Sequence, residues 1–306
     1  MVNRLTVDIA GLKLRNPTML AAGILGMSGA SLLEVIKNDA GAVVTKSLGL
    51  KPREGYANPT VVQVSCGILN AMGLPNPGIE NFAEEIQQVK KSEASVPIIV
   101  SVYGFSAGGF AKVARVAERI GADAIELNLS CPHVEKTGSE IGQNPELVAE
   151  VVEKVKATVN KPVILKLTPN VADIVQIAES GVKAGADAIT AINTVRAMKI
   201  DIETAQPVLA NKIGGLSGPA IKPIAVRCVY EIYEAVDVPV IGCGGVTSWQ
   251  DAVEFMLAGA SAVQIGTAIA WKNLAVFKSV AKGIDTYLRR KGFRSVKDIV
   301  GLSHRC

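Results

Sequence analysis

The 306-residue sequence predicts a single-domain α/β protein, residues 1–306, folded as a (β/α)8 TIM barrel. Two recurring phrases and the composition predict it. The first phrase reads Gly41-Ala42-Val43-Val44, Gly121-Ala122-Asp123-Ala124-Ile125, Gly185-Ala186-Asp187-Ala188-Ile189 and Gly259-Ala260-Ser261-Ala262-Val263. The second reads Val96-Pro97-Ile98-Ile99-Val100, Lys161-Pro162-Val163-Ile164-Leu165 and Val238-Pro239-Val240-Ile241, with Asn16-Pro17-Thr18-Met19-Leu20 as a looser copy. They alternate to give eight short apolar runs, and proline is tolerated at the first residue of a strand. Hydrophobic residues make up 49% of the chain but aromatics only 4%, the Val, Ile, Leu and Ala core that buried parallel strands require.

In order, strand 1 runs to Leu20 and ends in Ala21-Ala22-Gly23, and strand 2 runs to Val44 and ends in Thr45-Lys46-Ser47. Strand 3 ends in Ser101, strand 4 in Glu126-Leu127-Asn128, strand 5 in Lys166 and strand 6 in Asn193-Thr194. Strand 7 ends in Gly242-Cys243-Gly244-Gly245 and strand 8 in Gly266-Thr267. Amphipathic periodicity places helices over Phe110–Ile120, Pro145–Val159, Val171–Ala184 and Trp249–Ala258. An open doubly wound sheet is the alternative, and the even division into four two-strand units favours closure. Two excursions, Leu48–Glu80 and Val195–Pro219, interrupt the alternation, and loops of that length commonly cover a ligand.

The net charge of +4 comes from 32 basic and 28 acidic residues spread without a block, which argues against nucleic acid and suits an anionic substrate. Five cysteines stand at irregular spacing with no C-x-x-C pair, so no zinc or iron–sulfur site, and no other metal, is expected in this chain. A reducing cytoplasm is the natural compartment. No long apolar stretch marks a leader or a membrane span, so no membrane contact is expected.

In this fold the site lies where the strands end. Two lysines, Lys46 and Lys166, and two amides, Asn128 and Asn193, converge there. An inward ammonium costs several kcal/mol unless it meets an anion. One of the two lysines could instead pair with Glu126 as a structural ion pair. Two such lysines beside the glycines of strands 7 and 8, where barrels commonly hold a phosphate on backbone N–H groups, point to an anionic cofactor and substrate. Gly244 and Gly245 alone are weak evidence, since a tight turn needs glycine anyway. Cys66, Cys228 and Cys243 are read as small buried hydrophobes. Cys131, in Asn128-Leu129-Ser130-Cys131-Pro132-His133 directly after strand 4, is read as a proton-transfer group, with only His133 as a near neighbour. Asn70–Gly78 in the first excursion suits close backbone approach to a flat ligand with amide edges, or is an ordinary turn cluster.

At this point the residues resemble a family, the class 1 dihydroorotate dehydrogenases, over nearly the whole chain. The matching phrases are Thr45-Lys46-Ser47, Leu69–Gly78, Glu126–Pro132, Leu165-Lys166-Leu167, Ile192-Asn193-Thr194, Asn211–Pro223, Gly242–Val246 and Ile265-Gly266-Thr267. Gly214–Pro223, Thr194 and Pro207–Asn211 look like the NAD-linked subtype rather than the fumarate-using one. The resemblance implies oxidation of (S)-dihydroorotate to orotate in pyrimidine biosynthesis, with FMN as cofactor and Cys131 removing the C5 proton. It implies that Asn70, Asn128, Asn193 and Thr194, with Ala71, Met72, Gly73 and Leu74, grip the substrate. Lys46 would stand between flavin and substrate, and Lys166 near the flavin N1–O2 edge. Gly218, Gly244, Gly245, Gly266 and Thr267 would hold the phosphate, with Ala22, Ser47, Ser101 and Ile192 as further flavin contacts. It also implies a homodimer docked to an electron-transfer subunit carrying FAD and an iron–sulfur cluster. Where the family usually has Asn, this chain has His133 and Ser101, which puts those two polar contacts in doubt. A dihydropyrimidine dehydrogenase-type reductase is the runner-up, and a non-catalytic barrel scaffold is a third reading that predicts a colourless protein.

Overall fold

The glycine of the first repeated phrase ends a helix. In the computed structural model, which describes residues 4–130 and 141–305, Gly121, Gly185 and Gly259 have φ of +108°, +103° and +119°, where a side chain would be strained. The aspartate two residues on starts the neighbouring strand. Asp123 accepts from Ile98 N at 2.7 Å and pairs with Lys90, and Asp187 accepts from Val163 N at 2.7 Å and pairs with Lys156 at 2.7 Å. Two of the four copies, at Gly121 and Gly185, thus carry both a helix terminator and a strand clamp, and the copy at Gly259 carries the terminator alone.

A hairpin of β1 (Val7–Ile9) and β2 (Leu12–Leu14) precedes β3 (Thr18–Leu20), α1 (Gly29–Lys37) and β4 (Ala42–Val44). The first excursion holds β5 (Val61–Val64) and β6 (Gly67–Asn70). Then come α2 (Ala83–Ser92), β7 (Ile98–Val102), α3 (Ala107–Arg119), β8 (Ala124–Asn128), α4 (Pro145–Lys156), β9 (Val163–Leu167), α5 (Ile174–Lys183) and β10 (Ala188–Ala191). The second excursion holds β11 (Val195–Met198), β12 (Ile200–Asp201), β13 (Gln206–Pro207) and β14 (Ile213–Ser217). The chain continues through α6 (Lys222–Ala235), β15 (Val240–Cys243), α7 (Trp249–Leu257), β16 (Ala260–Ile265), α8 (Ile269–Lys272) and α9 (Ala275–Lys291).

Eight parallel strands close in the order β3-β4-β7-β8-β9-β10-β15-β16, with Gln264 opposite Met19 across the final seam. Strand alternation separates two cores. Outward residues such as Leu20, Val100, Leu127, Leu165 and Ile189 join the helices in one cluster. Inward residues Met19, Val44, Ile99, Ala124, Ile164 and Ile241 form a second, and the hairpin adds Ile9, Leu12 and Leu14 to it. A fully buried Leu or Ile contributes about 1.5–3 kcal/mol, so the hairpin plugs the barrel floor.

Helix starts follow their caps. Ser106 accepts from Gly109 N, so α3 begins at Ala107, ahead of the predicted Phe110, because two early glycines mask the periodicity. Asp173 accepts from Val175 N and Gln176 N and delays α5 to Ile174, past the predicted Val171. The excursions, expected as loops, pair with each other into one antiparallel sheet, β11-β14-β6-β5, with Asn70 opposite both Gly215 and Val61. Cys66 corrects its expectation. It is exposed in the turn between β5 and β6, where pairing turns its side chain away from the core, whereas Cys228 is buried.

Candidate functional site

Two residues beyond the apolar inner row, the inward positions turn polar. Lys46, Ser101, Glu126, Lys166, Thr190, Cys243 and Gln264 each follow an inner-cluster residue at the strand period of two. This row floors the barrel mouth. Asn128, Thr168 and the glycines after β15 and β16 stand one step higher.

Lys46 is placed by a glycine. A Cβ on Gly26 would lie 2.5 Å from Lys46 N, and Lys46 N instead donates to Gly26 O at 2.9 Å. The residue is 8% exposed, its ammonium has no acceptor among the described residues, and burial lowers its pKa. Lys166, 4% exposed, has partners. It donates to Gln264 Oε1 at 2.8 Å and stands 3.6 Å from Glu126 Oε1. Burial works against its charge, but the Glu126 carboxylate, with a smaller contribution from Cys243, raises the pKa overall. Gln264 donates to Glu126 Oε2 at 2.6 Å and Thr190 donates to the same oxygen at 3.2 Å. The structural ion pair weighed for one of the two lysines is therefore present, at Lys166, joined by Gln264, which sequence reading did not single out. Burial pushes the Cys243 thiol up, and Lys166 opposes that shift.

Above this floor the amides form a chain. Asn128 Nδ2 donates to Ser47 Oγ at 2.9 Å, and Ser47 shares a hydrogen bond with Ser101 at 3.0 Å. Asn193 Nδ2 reaches Asn128 Oδ1 at 3.2 Å and Ser130 Oγ at 2.9 Å, while Asn193 Oδ1 accepts from Thr194 N at 2.8 Å. The excursion sheet brings in the remaining residues. Asn70 donates to Gly215 O at 3.3 Å, and a Cβ on Gly215 would meet Thr194 Oγ1 at 2.1 Å, so Asn70 and Thr194 flank the same glycine. Asn170 holds this edge by donating to Thr194 O at 3.1 Å. Ala71 is buried and Met72, Gly73 and Leu74 are half-buried, with Gly73 O taken by Arg53 at 2.7 Å. Asn76, from the same phrase, is structural and donates to Tyr103 Oη at 2.9 Å.

The glycines form a cradle. Gly218, Gly244 and Gly245 have φ of +103°, +136° and +77°, and a Cβ on Gly245 would lie 2.8 Å from Gly218 O. The backbone N–H groups of Gly245, Gly266 and Thr267 meet no acceptor among the described residues, while Thr267 Oγ1 donates to Ser217 Oγ at 2.7 Å. Backbone N–H groups without acceptors among the described residues, at the same mouth as a buried ammonium, fit a phosphate-bearing anion. Ala22 is half-buried beside them, whereas the Ile192 side chain belongs to the outer core and its N–H goes to Cys243 O at 2.7 Å. Cys131 and His133 lie outside the described residues. A groove of about 580 Å³ over Tyr230, Trp249 and Tyr287 lies on the outer helices, away from this mouth. Among the described residues no helix is long and apolar enough to cross a membrane.

Known proteins are similar to this sequence over nearly its whole length. The profile of the family described as Dihydroorotate dehydrogenase covers residues 4–288. A protein of Pyrococcus abyssi named "Dihydroorotate dehydrogenase B (NAD(+)), catalytic subunit" is 52% identical, over 98% of this chain and 99% of its own length. Proteins of the same name from Methanosarcina acetivorans and Methanothermobacter thermautotrophicus are each 52% identical, over 97% and 98% of this chain and 95% and 98% of their own.

Proposed function

The chain belongs to the dihydroorotate dehydrogenase family, and from that premise we propose that it is the catalytic subunit of an NAD-linked enzyme oxidising (S)-dihydroorotate to orotate in pyrimidine biosynthesis. The observation that carries the reading is Lys46, a buried ammonium without a counter-charge among the described residues, at the same barrel mouth as glycine N–H groups that lack acceptors among those residues. Such a site is complete only when anions fill it.

Flavin mononucleotide, when bound, supplies the acceptor for the two electrons and the hydrogen leaving C6. Gly218, Gly244, Gly245, Gly266 and Thr267 hold its phosphate, with Ala22, Ser47, Ser101, Asn128 and Ile192 along the rest of its length. Lys166 faces the charge that reduction delivers. Asn70, Asn128, Asn193 and Thr194, with the Ala71–Leu74 backbone, orient dihydroorotate, and Lys46 lies between the two ligands. Cys131 takes the C5 proton, which is acidified by the adjacent carbonyl. The chain works in the cytoplasm as a homodimer with a separate electron-transfer subunit carrying FAD and an iron–sulfur cluster. The words "catalytic subunit" in the relatives' names support a divided enzyme.

The test is an absorption spectrum of the purified chain before and after dihydroorotate. A yellow protein bleached by dihydroorotate but not by dihydrouracil supports the reading, and a colourless protein, or equal bleaching by both, overturns it.

A further inference from the structure

Glu126 is wholly buried on β8, in the middle of the barrel, and has no part in the chemistry above. Its surroundings are specific. Oε2 accepts from Gln264 Nε2 at 2.6 Å and from Thr190 Oγ1 at 3.2 Å, while Oε1 accepts no hydrogen bond and faces Lys166 Nζ at 3.6 Å. Gln264 bridges the charges, accepting from Lys166 with Oε1 and donating to Glu126 with Nε2. Its amide is thereby fixed in one orientation. Among the described residues, the titratable groups facing Lys166 are Glu126 and Cys243. Thr190 and Gln264 are neutral, and Lys46 belongs to the same inward row.

An isolated ammonium at this depth sheds its proton, because desolvation disfavours the charged form. The carboxylate is the one full negative charge among the described residues positioned to prevent that. We propose that Glu126 is a positioning residue that keeps Lys166 charged and, through Gln264, fixes it at the mouth throughout the reaction. The proposal rests on the flavin reading above. Lys166 then enters and leaves each turnover as an ammonium and neither takes nor gives a proton. The negative charge brought by two-electron reduction meets a cation already in place, so no proton has to reach the barrel interior.

Without the carboxylate, burial wins and the Lys166 pKa falls. Between that lowered value and the higher one that the added negative charge of reduction imposes, the neutral amine binds one proton each time reduction brings charge beside it. One extra proton per two electrons shifts the reduction equilibrium tenfold per pH unit, about 30 mV.

The experiment measures the flavin midpoint potential against pH in the FMN-loaded chain, native and Glu126→Gln. The expected result is a line steeper by that tenfold per pH unit in the variant. Parallel lines overturn the proposal, since they leave the charge on Lys166 independent of Glu126. Lys166→Met combined with Glu126→Gln is expected to return the native slope, and a slope that stays steep overturns the assignment to Lys166. If Glu126→Gln alone yields no folded protein, the double variant decides. A folded, flavin-binding double variant carries the proposal, and an unfolded one makes Glu126 a structural residue. Failure of the underlying reading is seen separately, as a native chain that holds no flavin or whose flavin dihydroorotate does not bleach.

Discussion

Lys46 shows a residue kept at the expense of stability. Its ammonium is buried with no counter-charge among the described residues, so the folded state holds that proton less tightly than the unfolded state does. Stability should therefore rise with pH between the lowered folded pKa and the ordinary lysine range, and be flat below it. Lys46→Met should leave the ligand-free chain as stable or about 0.5–2 kcal/mol more stable, while flavin and orotate binding weaken at least tenfold. Thermal melts and a flavin titration check both halves, and a destabilised variant that still binds normally would contradict them. Cys131→Ser should keep FMN and bind orotate but slow flavin reduction near neutral pH, because a serine hydroxyl is a far weaker acid than a thiol. Stopped-flow reduction at the native rate would remove Cys131 from the base role. Both lysines could be read from sequence because cations ending apolar strands are chemically anomalous. Gln264 could not, because a glutamine within Ala262-Val263-Gln264-Ile265 looks like any alternating strand residue until its two charged neighbours are seen.

At the level of elements, the repeats foretold the barrel because their grammar is local. Glycine ends a helix at Gly121, Gly185 and Gly259 and an apolar run follows, so eight strands were legible without tertiary knowledge, whereas the clamps that Asp123 and Asp187 place on the preceding strands show only in the fold. The excursion sheet was not, because β14 pairs with β6 across a long sequence separation through Gly215 and with β11 through Gly214 and Gly215, and glycines carry no strand signal. Those glycines give the sheet its use. The space at Gly215 is taken by Thr194, so the sheet edge and the end of β10 position each other. Gly215→Ala should therefore harm substrate binding before folding. Displacing a positioning group by about 1 Å can cost roughly 100-fold, so kcat/KM for dihydroorotate should fall about that far with flavin content kept. A variant with native kcat/KM would show that Thr194 can shift at no expense to binding.

For the whole molecule, the sequence supplies no second dinucleotide site. No G-x-G-x-x-G follows a strand and opens a helix. The chain alone should therefore reduce an artificial dye briskly with dihydroorotate, but NAD at least tenfold more slowly. Steady-state assays with NAD, fumarate and dye in turn check this. Brisk NAD reduction without a partner would contradict it, and brisk fumarate reduction would reassign the subtype.

The hairpin that plugs the floor leaves the ribosome before any surface it covers. Ile9, Leu12 and Leu14 emerge with their neighbours Ile164, Ile241 and Ala262 still to be synthesised, and the seam to β3 closes only once β16 is made. Translation from the hairpin to β16 therefore runs with that apolar segment incompletely sheltered. The barrel gains its full protection late and all at once. A nascent chain arrested before Ala260 should be held by chaperones and cut readily by proteases in the very residues that are most deeply packed in the finished protein.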